Sequence, residues 1–218
     1  MGCVAERHWK ADEWPQESGE EVEFTLVYEG ELFAYKEDRA AHKHAIRRQF
    51  HPQLKQVWES KLPHWISSTR PSRMIRRIDA GSPILQQVAS RFAICGYRFV
   101  PLVLEELVLA CKLDILFLRR EIGLGRIVQG GDLDNRLKTL FDGLRVPHDG
   151  KEIGGSAPLE GEDPFFCLLQ DDSLITEVKV RADTLLTPTT PQTANDVKLI
   201  IGVTLRPLEM TEYNGDFA

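Results

Sequence analysis

The sequence predicts an α+β fold, with a mixed, mainly antiparallel sheet that carries packed helices in a single domain, residues 1–218. Segments that alternate apolar and polar residues predict strands, and two segments that repeat apolar residues every three to four positions predict helices. A chain of 218 residues with 42% hydrophobic content can bury one substantial core. Two full domains are not expected.

The individual elements follow in chain order. Residues 22–28 alternate as a strand does, and residues 40–61 predict a helix that Pro52 interrupts or kinks. The expected buried stripe of this helix consists of Ile46, Phe50, Leu54 and Val57, and Trp58 is expected in the core. A short helix is predicted over residues 84–92. Strands are predicted over residues 97–104, 108–118, 165–169, 174–180 and 196–205.

Charge is divided unevenly along a chain whose formal net charge is −6. An acidic segment, residues 1–21, opens the chain, whereas residues 39–77 hold ten Lys or Arg against the single Glu59. An acidic average disfavours DNA binding, but this basic helix and loop region can supply phosphate contacts. The predicted DNA-binding residues are Arg47, Arg48, Lys55, Arg70, Arg73, Arg76 and Arg77.

Other features of the sequence limit where the protein is expected to act and how its cysteines are used. No apolar run has the length of a membrane span and no signal peptide precedes the acidic start, so a soluble, cytoplasmic protein is expected. The four cysteines lack the spacing of a zinc site or a disulfide framework. They are expected to be reduced and mostly buried.

The most informative segment is residues 131–145, in which Asp132, Asp134 and Lys138 form the pattern Asp-Leu-Asp-Asn-x-x-Lys. Residues two apart in extended chain point to the same side, so the two aspartates can share one ion. A helix is expected to begin next, which brings Lys138 one turn beyond Asp134. Its predicted buried stripe consists of Leu137, Leu140, Phe141 and Leu144.

A second acidic pair, Asp171 and Asp172, lies between two predicted strands. Adjacent residues in extended chain point to opposite faces, so one carboxylate is expected to join the first pair and the other to cap the turn. Three carboxylates suit Mg²⁺, with Mn²⁺ as a substitute. The alternative to a metal site for the first motif is a set of exposed ion pairs one helical turn apart, through Asp134, Lys138 and Asp142.

The order and spacing of these motifs, with Phe-Asp-x-Leu between them, resemble the RusA family of Holliday junction resolvases over residues 105–186. The resemblance implies a RusA-like fold and a homodimeric, Mg²⁺-dependent endodeoxyribonuclease that makes paired nicks in four-way DNA junctions. It assigns catalysis to Asp132, Asp134, Lys138 and Asp172. It implies that the three aspartates among these hold the metal, with Asp171 at the other acidic position.

The chain departs from the family pattern at residues 146–164, a longer connection that is interpreted as an insertion. It is predicted to form turns and then an acidic surface loop over residues 158–164. His148 within it is interpreted as an exposed loop histidine without a function. The first third of the chain carries no family motif.

Other functions stay open from the residues alone. The DNA substrate could be a structure other than a four-way junction. Asp-x-Asp also holds divalent ions in nucleotidyl and glycosyl transferases, although no glycine-rich phosphate cradle precedes it here. A non-catalytic DNA-binding or assembly protein is the remaining alternative, in which the carboxylates serve folding only.

Overall fold

The computed structural model describes residues 21–34, 39–63, 83–119, 132–186, 195–211, 214 and 217. Within these ranges the chain forms three α-helices and seven strands. The helices are α1 (Arg39–Lys61), α2 (Ile84–Arg91) and α3 (Asp132–Leu144). The strands are β1 (Val22–Glu31), β2 (Ala93–Ile94), β3 (Tyr97–Val103), β4 (Leu109–Arg119), β5 (Phe165–Leu169), β6 (Ile175–Thr184) and β7 (Asp196–Pro207).

The α+β class with mixed, mainly antiparallel strand pairing is confirmed, and the strands form two sheets. The larger sheet has the order β1-β7-β4-β6, in which β7 is antiparallel to β1 and β4, and β4 is parallel to β6. The smaller sheet has the order β2-β3-β5. Strand β5 is buried along its whole length because its two faces enter two separate hydrophobic clusters. A strand that is covered on both faces has a continuous apolar sequence, as β5 does.

Helix α1 packs against β1, β5 and α3. Its predicted apolar stripe is buried, and Trp58 is fully buried in the core. Pro52 lies on the exposed face of a helix that continues unbroken through it, so the predicted interruption is wrong. Packing of the opposite face stabilises the helix despite the lost backbone hydrogen bond. The contact with α3 is close, since a Cβ on Gly143 would lie 2.5 Å from Cγ2 of Ile46.

The two edge strands of the larger sheet, β1 and β6, differ in whether their outer backbone groups have hydrogen-bond partners. At β1, the amide of Gln53 from helix α1 takes the place of a neighbouring strand: its Oε1 accepts from the Val27 N–H at 2.9 Å and its Nε2 donates to the Val27 carbonyl at 2.8 Å. At β6, no strand in the described part of the chain pairs with the outer side. Within the described part of the chain, the β1 edge is therefore covered by a side chain at Val27, and the β6 edge is open.

A buried polar network fastens α1 to the loop before β5. Arg48 donates from Nε to Glu162 at 2.8 Å and from Nη2 to the Tyr97 hydroxyl at 2.9 Å. Glu162 is only 7% exposed. The prediction of an acidic surface loop over residues 158–164 is therefore wrong at this residue, because its charge is paired with Arg48.

Two histidines of α1 are buried in neutral form beside this network. His51 accepts the Phe166 N–H at Nδ1, 2.9 Å away, so its proton lies on Nε2, which donates to the Gly161 carbonyl at 3.1 Å. Burial lowers the pKa of His51. Burial, with the nearby charges of Arg48 and Arg47, lowers the pKa of His44 from 6.5 to about 4.

Because these two histidines are buried in neutral form, we expect the protein to lose stability in mild acid. Each imidazole binds its proton more weakly in the folded than in the unfolded state, so their stabilisation is complete above pH 6.5 and declines as pH falls toward 4. At about 1.4 kcal/mol per pKa unit, the fall in the pKa of His44 from 6.5 to about 4 contributes at most about 3.5 kcal/mol to this decline. Urea unfolding at several pH values measures it, and His44→Phe should flatten the slope between pH 6.5 and 4.

His148→Gln is the control, because the side chain of His148 is 60% exposed. It should keep the slope of the unaltered protein. A free energy of unfolding that stays constant between pH 6.5 and 4 would contradict the assignment of neutral, buried imidazoles.

No helix in the described ranges is long and apolar enough to cross a membrane. Cys111 and Cys167 are buried, as predicted, and burial raises the pKa of each thiol to about 12. Cys95 is exposed, so two of the three cysteines in the described ranges are buried and the expectation of mostly buried thiols holds there.

Candidate functional site

Helix α3 carries the first acidic motif and begins at Asp132, earlier than the sequence predicts. The expectation that Asp132 and Asp134 lie in an extended segment is therefore wrong. Positions two apart in an α-helix differ by about 200° around the axis, since each residue turns the helix by about 100°. The common side that an extended segment gives the two aspartates is thus absent. The side chain of Asp132 lies outside the described part of the structure.

The buried face of α3 matches the predicted stripe. Leu140 and Leu144 are buried, and Leu137 and Phe141 pack against the core. Asp134 and Lys138 are exposed. Among the described residues, neither side chain has a hydrogen-bond or ion-pair partner.

The alternative interpretation of the motif, a ladder of ion pairs along α3, is wrong for the described structure. Asp142, its third member, is taken up by other cations: Lys43 of helix α1 lies 2.6 Å from its Oδ2, and Arg145 lies 2.8 Å from its Oδ1. Lys138 is therefore left available for another anion.

The second acidic pair lies on the turn between β5 and β6, and its two members differ. The Asp171 carboxylate accepts from the N–H and the hydroxyl of Ser173 and caps the short 3₁₀ helix Asp172–Leu174. These hydrogen bonds, with the nearby His148 and Arg145, lower the pKa of Asp171. Asp172 is exposed, and nothing in the described structure binds its carboxylate. The expectation that one member caps the turn is confirmed.

The fold brings this turn against the motif helix. The 3₁₀ helix Asp172–Leu174 contacts α3, and Leu174 packs against the same core as Leu133 and Leu137 of that helix. Among the described side chains, however, no three groups of metal-ligating type are close enough to hold one ion. The structure thus joins the two acidic segments but does not assemble the predicted three-carboxylate cluster from the side chains it describes.

His148 approaches the acidic turn, which sequence reasoning did not expect. Its Nε2 lies 3.7 Å from Oδ2 of Asp171. Its backbone N–H donates to Glu152, at 3.3 Å. The position depends on a long-range contact between the 146–164 segment and the β5–β6 turn, for which the local sequence carries no signal.

Arg47 corrects the predicted DNA surface. It is 1% exposed, and its guanidinium donates to the backbone carbonyls of Arg145, Glu152 and Asp142 at 3.0, 3.1 and 2.7 Å. A side chain with every face enclosed by the protein cannot reach a phosphate, so its predicted DNA contact is wrong. Arg47 joins α1 to the end of α3 and to the following segment.

Arg145 completes this network, which we name the arginine cluster and define as Arg47, Asp142, Arg145 and Glu152. Arg145 donates to Asp142 at 2.8 Å and to both Glu152 oxygens at 3.0 Å. Burial alone would raise the pKa of Glu152, but these hydrogen bonds lower it overall. The cluster thus stabilises the end of the motif helix.

The other predicted DNA contacts have different positions. Lys55 is exposed on α1, whereas Arg48 is committed to Glu162 with a partly exposed side chain. Arg70, Arg73, Arg76 and Arg77 lie outside the described residues.

Comparison of this chain with models of protein families, with characterised proteins and with solved structures finds no match.

Proposed function

We propose that the protein is a Mg²⁺-dependent endodeoxyribonuclease that hydrolyses phosphodiester bonds in branched DNA and resolves Holliday junctions by paired nicks. The observation that carries the proposal is the pairing of two acidic segments. The helix that begins with Asp132 and Asp134 packs against the turn that bears Asp172. The order of these residues and of Lys138 is that of the RusA-like pattern.

The carboxylates and the ammonium group that the reaction needs form no ion pair within the described structure. Asp134, Lys138 and Asp172 are exposed and have no protein partner there. By contrast, Asp142, Glu152 and Glu162 are each tied to an arginine. Exposed carboxylates without cationic partners are suited to bind a cation from solution.

The donor set fits a hard divalent ion, because carboxylate oxygens are the ligands that Mg²⁺ and Mn²⁺ prefer. Asp132, Asp134 and Asp172 would hold it, with Asp171 fixing the turn. When bound, Mg²⁺ supplies water activation and neutralises charge on the phosphate. Because α3 begins at Asp132, the backbone positions of Asp132 and Asp134 lie at different angles around the helix axis.

Lys138 has the clearest role for the protein itself. Its ammonium lies one helical turn from Asp134, where it can offset the charge that builds on the phosphate in the transition state. Lys55 and the arginines of residues 70–77 would contact phosphates further from the scissile bond and position the DNA.

We expect Lys138→Ala to reduce the single-turnover cleavage rate of a four-way junction by about 100-fold, with DNA affinity changed less than threefold. Lys151, an exposed lysine of the 3₁₀ helix Gly150–Ile153 after α3, supplies the matched control, and Lys151→Ala should cleave at the normal rate. Rate measurements at saturating protein, with Mg²⁺ or EDTA, separate cleavage from binding. Cleavage in EDTA, or an unchanged rate in Lys138→Ala, would count against the proposal.

A further inference from the structure

The open edge of the larger sheet is strand β6, and its sequence is suited to pair with itself. Residues 176–179 are all exposed, and Val178 is 41% exposed. Val27 on the opposite edge is also 41% exposed, but Gln53 occupies its backbone groups. An unpaired edge with exposed peptide groups is a template for another strand.

Symmetry limits how a second copy can add to β6. Two copies related by a two-fold axis pair antiparallel, so that residues on either side of the axis face each other at equal distances from it. In an antiparallel pair, a two-fold axis perpendicular to the sheet passes midway between two residues that lie directly opposite each other. One residue of β6 must therefore face the same residue of the other copy across the axis, and it is described here as lying on the axis. The registers therefore differ only in which residue that is.

With Val178 on the axis, the charges complement each other. Glu177 of each copy faces Lys179 of the other. Lys112 already lies beside Glu177, and Asp114 beside Lys179, in the β4–β6 register. Their ion pairs within one copy have lengths of 3.5 and 3.1 Å. The pairing thus creates a row of alternating charge across four strands, Lys112, Glu177, Lys179 and Asp114, and symmetry creates this row twice.

The alternative registers are poorer. An axis at Glu177, Lys179 or Arg181 places a charge opposite itself. An axis at Val180 sets Glu177 opposite Asp183 and Lys179 opposite Arg181. An axis at Ala182 matches Arg181 with Asp183, but β6 ends at Thr184, so five residues of each copy pair instead of the seven that pair around Val178.

We propose that strand β6 is the interface of the homodimer that the resemblance implies. The β6 strands of two copies pair antiparallel about Val178, with two-fold symmetry, and join their larger sheets. The occupant of the open edge is a second copy, because the charge sequence of β6 complements itself. The interface is tested by association and the nuclease by cleavage, so loss of one leaves the other testable, although a monomer would also contradict paired nicks.

Charge reversal tests the interface. Lys179→Glu and Glu177→Lys each place two like-charged pairs across the axis and should raise the dimer dissociation constant at least about tenfold. An equimolar mixture of the two variants restores both opposite-charge pairs and should recover the dimer. Lys198→Glu is the matched control, since Lys198 also pairs with a carboxylate on a neighbouring strand of the same sheet, Glu29 at 3.2 Å.

Sedimentation equilibrium measures these constants on the full chain, with circular dichroism to confirm folding. A dimer for the unaltered protein, weakened in each single variant and recovered in the mixture, is the expected result. The highest protein concentration in this measurement is about 50 µM. A protein that is still monomeric at that concentration would overturn the proposal. So would a dimer that neither reversal weakens.

Crosslinking tests the register separately. Val178→Cys should form a disulfide between copies under mild oxidation, because the two cysteines face each other across the axis. Val27→Cys, equally exposed but on the covered edge, should give only the background of the unaltered protein. Efficient crosslinking of Ala182→Cys in place of Val178→Cys would overturn the register.

Discussion

Asp134→Asn and Asp172→Asn should each reduce Mg²⁺-dependent cleavage of a four-way junction by about 100-fold or more while leaving the fold intact. An amide keeps the size of the side chain but removes the negative charge that binds the cation. Both residues are exposed, and neither has a partner in the described structure, so little stability depends on them. Cleavage of end-labelled DNA and urea unfolding measure the two effects.

Glu160→Gln is the control for these substitutions, since it also removes one carboxylate from an exposed position. It should retain normal activity. If the two aspartate variants cleave as fast as the unaltered protein, the acidic segments are not the active site. If instead they unfold, the carboxylates serve folding, as the non-catalytic alternative holds.

Arg47→Met should destabilise the protein by about 3–5 kcal/mol, the usual cost of removing one member of a buried charge network. The substitution leaves the carbonyl oxygens of Asp142, Arg145 and Glu152 without their donor. Arg47→Lys should also destabilise, because a single ammonium cannot reproduce the directions of the guanidinium hydrogen bonds. Urea unfolding at neutral pH measures both variants.

Lys55→Met is the control on the same helix, because Lys55 lies on the exposed face. It should change the free energy of unfolding by less than about 0.5 kcal/mol. A loss of under 1 kcal/mol in Arg47→Met would contradict the view that Arg47 fastens α1 to the segment after α3. Weakened DNA binding by a stable Arg47→Met variant would reinstate the residue as a DNA contact.

Local periodicity predicted most of the elements, because apolar spacing follows from which faces are buried. The stripe of α1, the core position of Trp58 and the strand over residues 165–169 are examples. Strand partners are set by long-range contacts, and the division into two sheets was therefore not predicted. It depends on α1 covering β5 from a site more than 100 residues earlier in the chain.

The candidate site was predicted in part. The apolar spacing predicted the buried face of α3, and Asp134 and Lys138 are exposed on the rest of that helix. Arg47 was misassigned because composition cannot distinguish a solvated arginine from one whose donors are satisfied by buried carbonyls. His148 was discounted because its approach to Asp171 depends on tertiary structure.

The most direct test of the central claim compares cleavage of a four-way junction, a fork and a linear duplex of matched sequence, each end-labelled, with Mg²⁺ or with EDTA. Unaltered protein and Asp132→Asn are assayed in parallel. The proposal predicts symmetric, paired nicks in the junction alone, only with Mg²⁺ and absent in the variant. Binding of the junction without cleavage in either Mg²⁺ or Mn²⁺ would contradict it.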